Sequence, residues 1–243
     1  QLSDSVGMHK STVYRFVNTL QELGYVYQDS QNERYGLTLK LVELGSPVLE
    51  RLELRRVARP VLENLASETQ ETIHLAVLDE GRLVYVDKIE STRALRVSMM
   101  SGVGLSAPTY CTGVGKVLLA YLEPEARDEV LSGESLQRFT ENTITDREQM
   151  EKELTMIRQN DYGIDNEEHE VGVRCVAAPV RDNRHEVIAA VSISAPSVRL
   201  TNSEIPQFRN AIREAADEIS NRLGAGQTAA IQAVPRPATT SRE

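Results

Sequence analysis

Three stretches of this 243-residue chain carry residue types that could do chemistry. Tyr110-Cys111-Thr112-Gly113-Val114-Gly115-Lys116 joins a strand-like segment to a helix-like one. It has the look of a phosphate-binding loop but fails the pattern. A Walker motif needs glycine five residues before Gly115 and Ser or Thr after the lysine, where this chain has Tyr110 and Val117. What survives is more general: glycines at a helix start let backbone N–H groups approach a small anion, the alternative being a packing turn. The second stretch, Asp165-Asn166-Glu167-Glu168-His169-Glu170, is soon followed by Arg174-Cys175. Asp165, His169 and Cys175 could form a metal site or an acid/base group, and the plain alternative is a solvated acidic loop. Extended geometry puts Asp165 and Glu167 on one side of the chain, and alternation turns either Arg174 or Cys175 inward. In the third, Val191-Ser192-Ile193-Ser194-Ala195, two hydroxyls share one face of an apolar strand. They read as a polar pocket floor, or as serines bonded to nearby backbone. His74, on the alternating run Glu71–Leu75, is either a satisfied sheet residue or a ligand contact. No nucleophile elbow or Ser-His-Asp spacing is visible, so no enzyme is expected.

A fourth group is of another kind. From His9 to Leu23, apolar residues recur at Val13, Phe16, Val17, Leu20 and Leu23, which predicts a helix with one buried stripe, stopped by Gly24. The other face carries Lys10, Ser11, Thr12, Tyr14, Arg15 and Asn18. Hydroxyls near a helix start can bond phosphates, and Arg15 and Asn18 can present paired donors to base edges. A plain solvated face is the alternative. Tyr25–Gln28 and Arg34–Leu37 flank the polar turn Asp29-Ser30-Gln31-Asn32 and read as a hairpin. A helix-turn-helix followed by a hairpin is the winged arrangement of many double-stranded DNA-binding modules.

The elements that must position these residues follow from periodicity. Leu2–Val6 reads as a short helix ending at Gly7. Thr38–Glu53 reads as a connecting helix bent near Gly45-Ser46-Pro47, with a basic end at Arg51, Arg55, Arg56 and Arg59. Pro60–Thr69 reads as a helix with proline in its first turn. Strands are expected at Thr72–Leu78, Arg82–Ile89 and Ala94–Met100, then helices at Gly113–Leu122, Pro124–Leu131 and Asp146–Asn160. Val173–Val180 and Glu186–Ser194 form a second hairpin, and Ser203–Leu223 a terminal helix with Ile205, Phe208, Ile212, Ala216 and Ile219 on one face. The Ala/Pro/Thr-rich end reads as disordered. Hairpins interspersed with helices point to an α+β domain with an antiparallel sheet.

Composition sets the class. Forty per cent apolar and 26% charged residues describe a globular chain. No run is apolar enough to cross a bilayer, and no charged leader precedes an apolar stretch. Two cysteines are too few for a disulfide framework and predict a cytoplasmic protein with reduced thiols. The net charge of −9 is uneven. Residues 1–59 hold eight Lys/Arg against seven Asp/Glu, and the rest 19 against 29. The N-terminal part is therefore neutral, and charge alone makes no case for nucleic acid.

Taken together, the segments resemble one family. Ser11–Arg15, Leu23–Val26 and Tyr35–Leu41 are similar to the winged helix of IclR-type bacterial transcription regulators. Gly113–Ala120, Tyr162–Glu168, Gly172–Val180 and Ser192–Pro196 are similar to that family's effector domain, and they occur in the family's order. Within the family, Glu71–Leu75 and Asp165–Glu168 resemble the KdgR type, which responds to 2-keto-3-deoxygluconate and controls hexuronate and pectin breakdown. The resemblance implies a partial winged helix-turn-helix over residues 1–40, a linker helix over 41–59, a GAF-like effector domain over 60–224 and a tail over 225–243. The family's first helix is missing before Gln1, so the chain reads as a fragment. Implied partners are operator DNA, a small sugar-acid or keto-acid effector and a homodimer or dimer of dimers. No cofactor or metal is implied. The family's ligand residues map onto Thr112, Gly113, Val114, Gly115, Asp165, Glu167, Cys175, Ser192 and Ser194, with His74 added from its strand. Asp165 and Glu167 would repel an anion held by the Gly113–Lys116 helix start unless they face its far end. The expected function is a ligand-responsive repressor. The alternatives are a metalloprotein or enzyme built on Asp165, His169 and Cys175, and a sensor without DNA binding.

Overall fold

The computed structural model describes residues 2–44, 53–96 and 101–225. The chain divides into two compact units, residues 1–53 and 54–243. In the first, α1 (Leu2–Val6) ends at Gly7 and α2 spans Lys10–Glu22. His9 caps α2, its ring accepting from the Ser11 N–H at 3.4 Å. At the other end Gly24 takes a left-handed φ of +76°, and Tyr25 N–H and Gly24 N–H bond back to the carbonyls of Leu20 and Gln21. This Schellman closure is the reason a glycine stands there. β1 (Val26–Gln28) and β2 (Tyr35–Leu37) pair antiparallel, and Asp29 binds Gln31 and Asn32 across the turn. A side chain at Gly36 would collide with the Tyr27 ring. The Thr38 hydroxyl and the Lys40 ammonium bond the carbonyls of Gly24 and Leu23, tying the wing to the end of α2.

The apolar stripe of α2 is in register but not enclosed. Val13 and Val17 are half-buried, whereas Phe16 is 59% exposed and Leu20 and Leu23 are also exposed. One helix, a short α1 and a two-stranded wing offer too little apolar surface to cover it. Residues 40–44 continue as helix, and the expected bend at Gly45-Ser46-Pro47 lies outside the described residues.

All but the first residue of α3 (Glu53–Thr69) belongs to the second unit. Pro60 sits inside this helix rather than in its first turn. Ala58, Val61, Leu62 and Leu65 form a continuous buried stripe across it, so packing outweighs the lost backbone bond. Residues 54–59 therefore belong to this unit rather than to a separate linker. A six-stranded antiparallel sheet follows, in the order β5-β4-β3-β8-β7-β6, built from β3 (Thr72–Asp79), β4 (Arg82–Ile89), β5 (Ser106–Ala107), β6 (Gly163–Asn166), β7 (Val173–Arg181) and β8 (Val187–Pro196). The expected strand at Ala94–Met100 is corrected: residues 94–96 lie outside any strand, residues 97–100 are not described, and β5 holds that edge. β6 was expected only as an extended stretch.

Three layers result. α4 (Gly113–Tyr121) packs on β7, β8, β6 and β3, and α6 (Arg147–Asn160) packs on α4. α5 (Pro124–Gly133) adds Leu131 to the same core, with Leu119, Met150 and Leu154. α7 (Ile205–Arg222) covers the opposite face of β7 and β8, burying Ile212, Ala216 and Ile219. α3 joins that side through Arg59, which pairs with buried Asp87 at 2.8 Å. Of the stretch expected to be disordered, Gly224 and Ala225 bond back to the end of α7, and the residues from 226 onward lie outside the described ones. Among the described residues no helix is long and apolar enough to cross a membrane.

Candidate functional site

In the first unit, helical spacing gathers Lys10, Ser11, Tyr14, Arg15 and Asn18 on one face of α2, with Thr12 flanking Arg15. Lys10, Ser11, Thr12, Tyr14 and Arg15 are exposed and Asn18 is half-buried. Ser11 is tied to the His9 ring at 2.8 Å, which fixes the first turn. The face thus offers hydroxyls, an ammonium and a guanidinium to solvent, opposite the half-buried Val13 and Val17.

In the second unit, strand register assembles the site. Asp165 stands across from Cys175, Cys175 from Ser194, and Ser194 from Thr72. The next row on the same face runs from Ala177 through Ser192 and His74 to Lys88. Directly opposed residues point the same way, so five strands contribute polar groups to one patch of an otherwise apolar face. Thr72, His74, Asp165, Cys175, Ser192 and Ser194 are all at least nine-tenths buried. Of the expected pair Arg174 and Cys175, it is Cys175 that turns inward.

α4 enters over this patch. A Cβ on Gly113 would come within 3.3 Å of Cys175 Cβ and 3.4 Å of Ala177 Cβ. One on Gly115 would fall closer than 3.0 Å to Thr109 backbone and to the Thr112 hydroxyl. Close approach to backbone thus requires glycine at 115, while at 113 the fit is tight. Thr112 caps the helix, its hydroxyl donating to Pro108 C=O at 2.8 Å and accepting from Gly115 N–H at 3.3 Å. The amides of Gly113 and Val114 lie in the first turn, where a helix supplies no acceptor of its own. Val114 packs into the core.

The polar groups form a directed chain. Ser194 donates to Cys175 Sγ at 3.1 Å, so its proton is not available to His74. At the 3.3 Å contact the donor must then be His74 Nδ1, which leaves Nε2 to accept from the Ser101 hydroxyl at 2.8 Å. Burial and the nearby Lys88 ammonium lower the His74 pKa to about 3, so the ring is neutral, as this tautomer requires. Burial, with the Asp165 charge next, raises the Cys175 thiol well above its ordinary range. The Tyr85 ring lies 5.1 Å from that of His74.

The acidic loop departs from expectation. β6 ends at Asn166, and Glu167 takes a left-handed φ of +58°. Its carboxylate accepts from Gly172 N–H at 2.7 Å and lies 3.6 Å from Arg174, whose side chain is on the opposite face from Cys175. Asp165 and Glu167 therefore do not share a side, because the reversed φ breaks the alternation. Glu168 takes that place, its N–H donating to Asp165 Oδ1 at 2.8 Å. Thr140 and Thr143 hold this turn by bonding the carbonyls of Glu167 and Glu168.

Sequence reasoning passed over the charge that anchors the loop. Lys116, buried in α4, bonds Glu153 at 2.8 Å and Glu168 at 2.5 Å. Burial acts to lower its pKa, but the two carboxylates outweigh that and the net shift is upward. A single lysine in Gly113–Tyr121, otherwise without charge, was the available signal, since a buried ammonium needs partners. Thr72, Lys88 and Ser101 were also missed, the first two being brought in by strand register and Ser101 by the loop that returns it to His74.

The metal reading is not supported by the placement of its residues. His169 packs its ring edge-on against Phe139, 5.1 Å between centroids. Among the described residues no three His, Cys, Asp or Glu side chains are grouped to hold a metal ion. Cys111 and Cys175 are both free and buried.

Comparison with known proteins identifies the two units. Residues 46–221 match the family model described as bacterial transcriptional regulator IclR C-terminal, and residues 1–30 match the IclR helix-turn-helix domain. The HTH-type transcriptional regulator KdgR of Escherichia coli is 44% identical over 224 residues, covering 92% of this chain and 84% of that protein. The crystal structure of Thermotoga maritima IclR superposes with a TM-score of 0.74 at 34% identity, covering 92% of this chain and 89% of the other. An IclR homolog from Microbacterium hydrocarbonoxydans, solved in complex with 4-hydroxybenzoate, gives a TM-score of 0.77 at 28% identity, with 92% and 89% covered. The chain belongs to the IclR family of bacterial transcriptional regulators, as a DNA-binding regulator with a helix-turn-helix unit and a separate effector-domain unit.

Proposed function

We propose that this regulator is a repressor released by a small sugar acid of the 2-keto-3-deoxygluconate type, bound between the first turn of α4 and the polar rows of the sheet. The observation that carries the reading is the collection of Thr72, His74, Cys175, Ser192, Ser194 and Asp165 on one buried face beneath Gly113. Without ligand several of these buried groups bond one another, and a polyhydroxylated acid offers replacement partners for many of them at once. The ligand carboxylate sits on the Gly113 and Val114 amides, with Thr112 and Gly115 shaping the turn. Ser192 and Ser194, which can donate or accept, meet hydroxyl or keto oxygens. Glu167 acts from behind by holding Gly172 and Arg174. The relative solved with 4-hydroxybenzoate shows a carboxylate ligand on a family member.

Lys10, Ser11, Thr12 and Tyr14 contact operator phosphates, and Arg15 and Asn18 read base edges. The regulator works as a homodimer or dimer of dimers on paired half-sites, and the effector shifts operator affinity through its preference for one arrangement of the protein. A gel-shift assay on the region upstream of the protein's own gene, with and without 2-keto-3-deoxygluconate, tests this. Release of DNA by the sugar acid is expected. Operator binding that ignores it rejects the effector reading.

A further inference from the structure

Asp165 does not lie at the far end of the site from the amides of α4. A Cβ on Gly113 would be 3.7 Å from the Asp165 backbone nitrogen. Asp165 also pairs with Cys175, whose Cβ would be 3.3 Å from the same point, so its side chain lies on the face that Gly113 covers and an anion seated on the first turn of α4 shares that face with the carboxyl. The groups around that carboxyl come from every packed element. Glu168 follows it in the loop, Cys175 lies across on β7, Tyr85 projects from β4, Cys111 precedes α4, and Glu170 lies further along the loop. Lys116 on α4 is the neighbouring cation, but its ammonium is shared by Glu153 and Glu168. The Glu168 amide, which donates to Asp165, and the Lys116 charge favour its ionised form. Burial and the Glu168 charge outweigh them and raise its pKa to about 7.

We infer that Asp165 is a neutral carboxylic acid when the anionic effector is bound, donating a hydrogen bond to a carboxylate or keto oxygen of that ligand, so that binding takes up a proton from solution wherever the ligand-free carboxyl is ionised. A second buried negative charge a few ångströms from an uncompensated carboxylate would oppose binding, and one proton removes the conflict and supplies a donor. The effector class is narrowed accordingly, to a carboxylate with an acceptor oxygen near the α4 turn. The inference rests on the effector-site reading above. It makes the regulator more responsive in a slightly acidic cell than in an alkaline one.

The test has two arms on the full chain. Without ligand, the Asp carboxyl carbons are titrated by NMR, with Asp165 assigned by its loss in Asp165→Asn. A midpoint near neutrality is expected, and one in the ordinary aspartate range overturns the inference. With 2-keto-3-deoxygluconate, calorimetry in buffers of different ionisation enthalpy should show uptake approaching one proton above pH ~7, with affinity falling about tenfold per pH unit there. Asp165→Asn, whose amide donates at every pH, should remove both the uptake and the pH dependence. Uptake that persists in this variant places the proton elsewhere and overturns the inference. Absence of any binding heat rejects the sugar-acid reading instead, and the ligand-free titration then decides the proton claim alone.

Discussion

His74 Nδ1 lies 3.3 Å from Ser194 Oγ across the β3–β8 pair, though 120 residues separate them in the chain. This contact fixes the ring's tautomer, while burial and the Lys88 ammonium keep it neutral. The sign of its pH effect follows from a pKa depressed to about 3. An unfolded chain protonates the imidazole below pH ~6.5, whereas the folded one resists until much lower. The contribution is fully present above that point and is lost as pH falls through the window between. Asp165, with its pKa raised, acts with the opposite sign over part of the same range, so the effect is read as a difference between variants. Urea unfolding of His74→Gln and the parent chain from pH 7 to 4 should show the parent losing stability faster, by up to about 1.4 kcal/mol per pH unit. Parallel curves would count against a buried neutral His74.

Periodicity made the elements legible in the sequence, among them the helix-turn-helix, both hairpins and the α4 turn. Ser192 and Ser194 could be assigned one face from alternation alone. Alternation failed at Glu167, because a left-handed residue is not signalled by its type when it is not glycine or asparagine. Lys88 and Ser101 escaped because nothing local marks them, and they join the site through cross-strand register and a loop return. The α2 stripe was legible as a pattern, but its enclosure depends on surface from elsewhere, which periodicity does not report.

Lys116 should be costly to remove. Lys116→Met leaves Glu168, 5% exposed, beside Glu153 without their shared cation. Breaking a buried pair from one side costs about 3–5 kcal/mol. Unfolding free energies should show that loss, and adding Glu153→Gln and Glu168→Gln should recover most of it. A loss under about 1 kcal/mol would mean the cluster is solvated.

Gly115→Ala places a methyl against the Thr109 backbone and the Thr112 hydroxyl. The turn must shift, which should cost at least about 2 kcal/mol and weaken sugar-acid binding with it. Thermal unfolding and calorimetry report the two together. Wild-type stability in this variant would show that the turn yields freely.

Arg15→Ala should lower discrimination between operator and random DNA by about 1–3 kcal/mol, whereas Lys10→Ala should weaken both similarly and reduce the salt dependence of binding. Fluorescence anisotropy across a salt series separates the two. Unchanged discrimination in Arg15→Ala would remove that residue from base reading.

The central claim is that the buried polar rows beneath α4 receive the signal that the helix-turn-helix reports. Its most direct test is operator affinity measured against rising 2-keto-3-deoxygluconate, for the parent chain and for Ser192→Ala with Ser194→Ala. The account predicts that the sugar acid weakens operator binding by the parent about 5- to 150-fold, the usual range of allosteric coupling, and that the double variant binds the operator equally well but responds far less. An equal response in both proteins would contradict it.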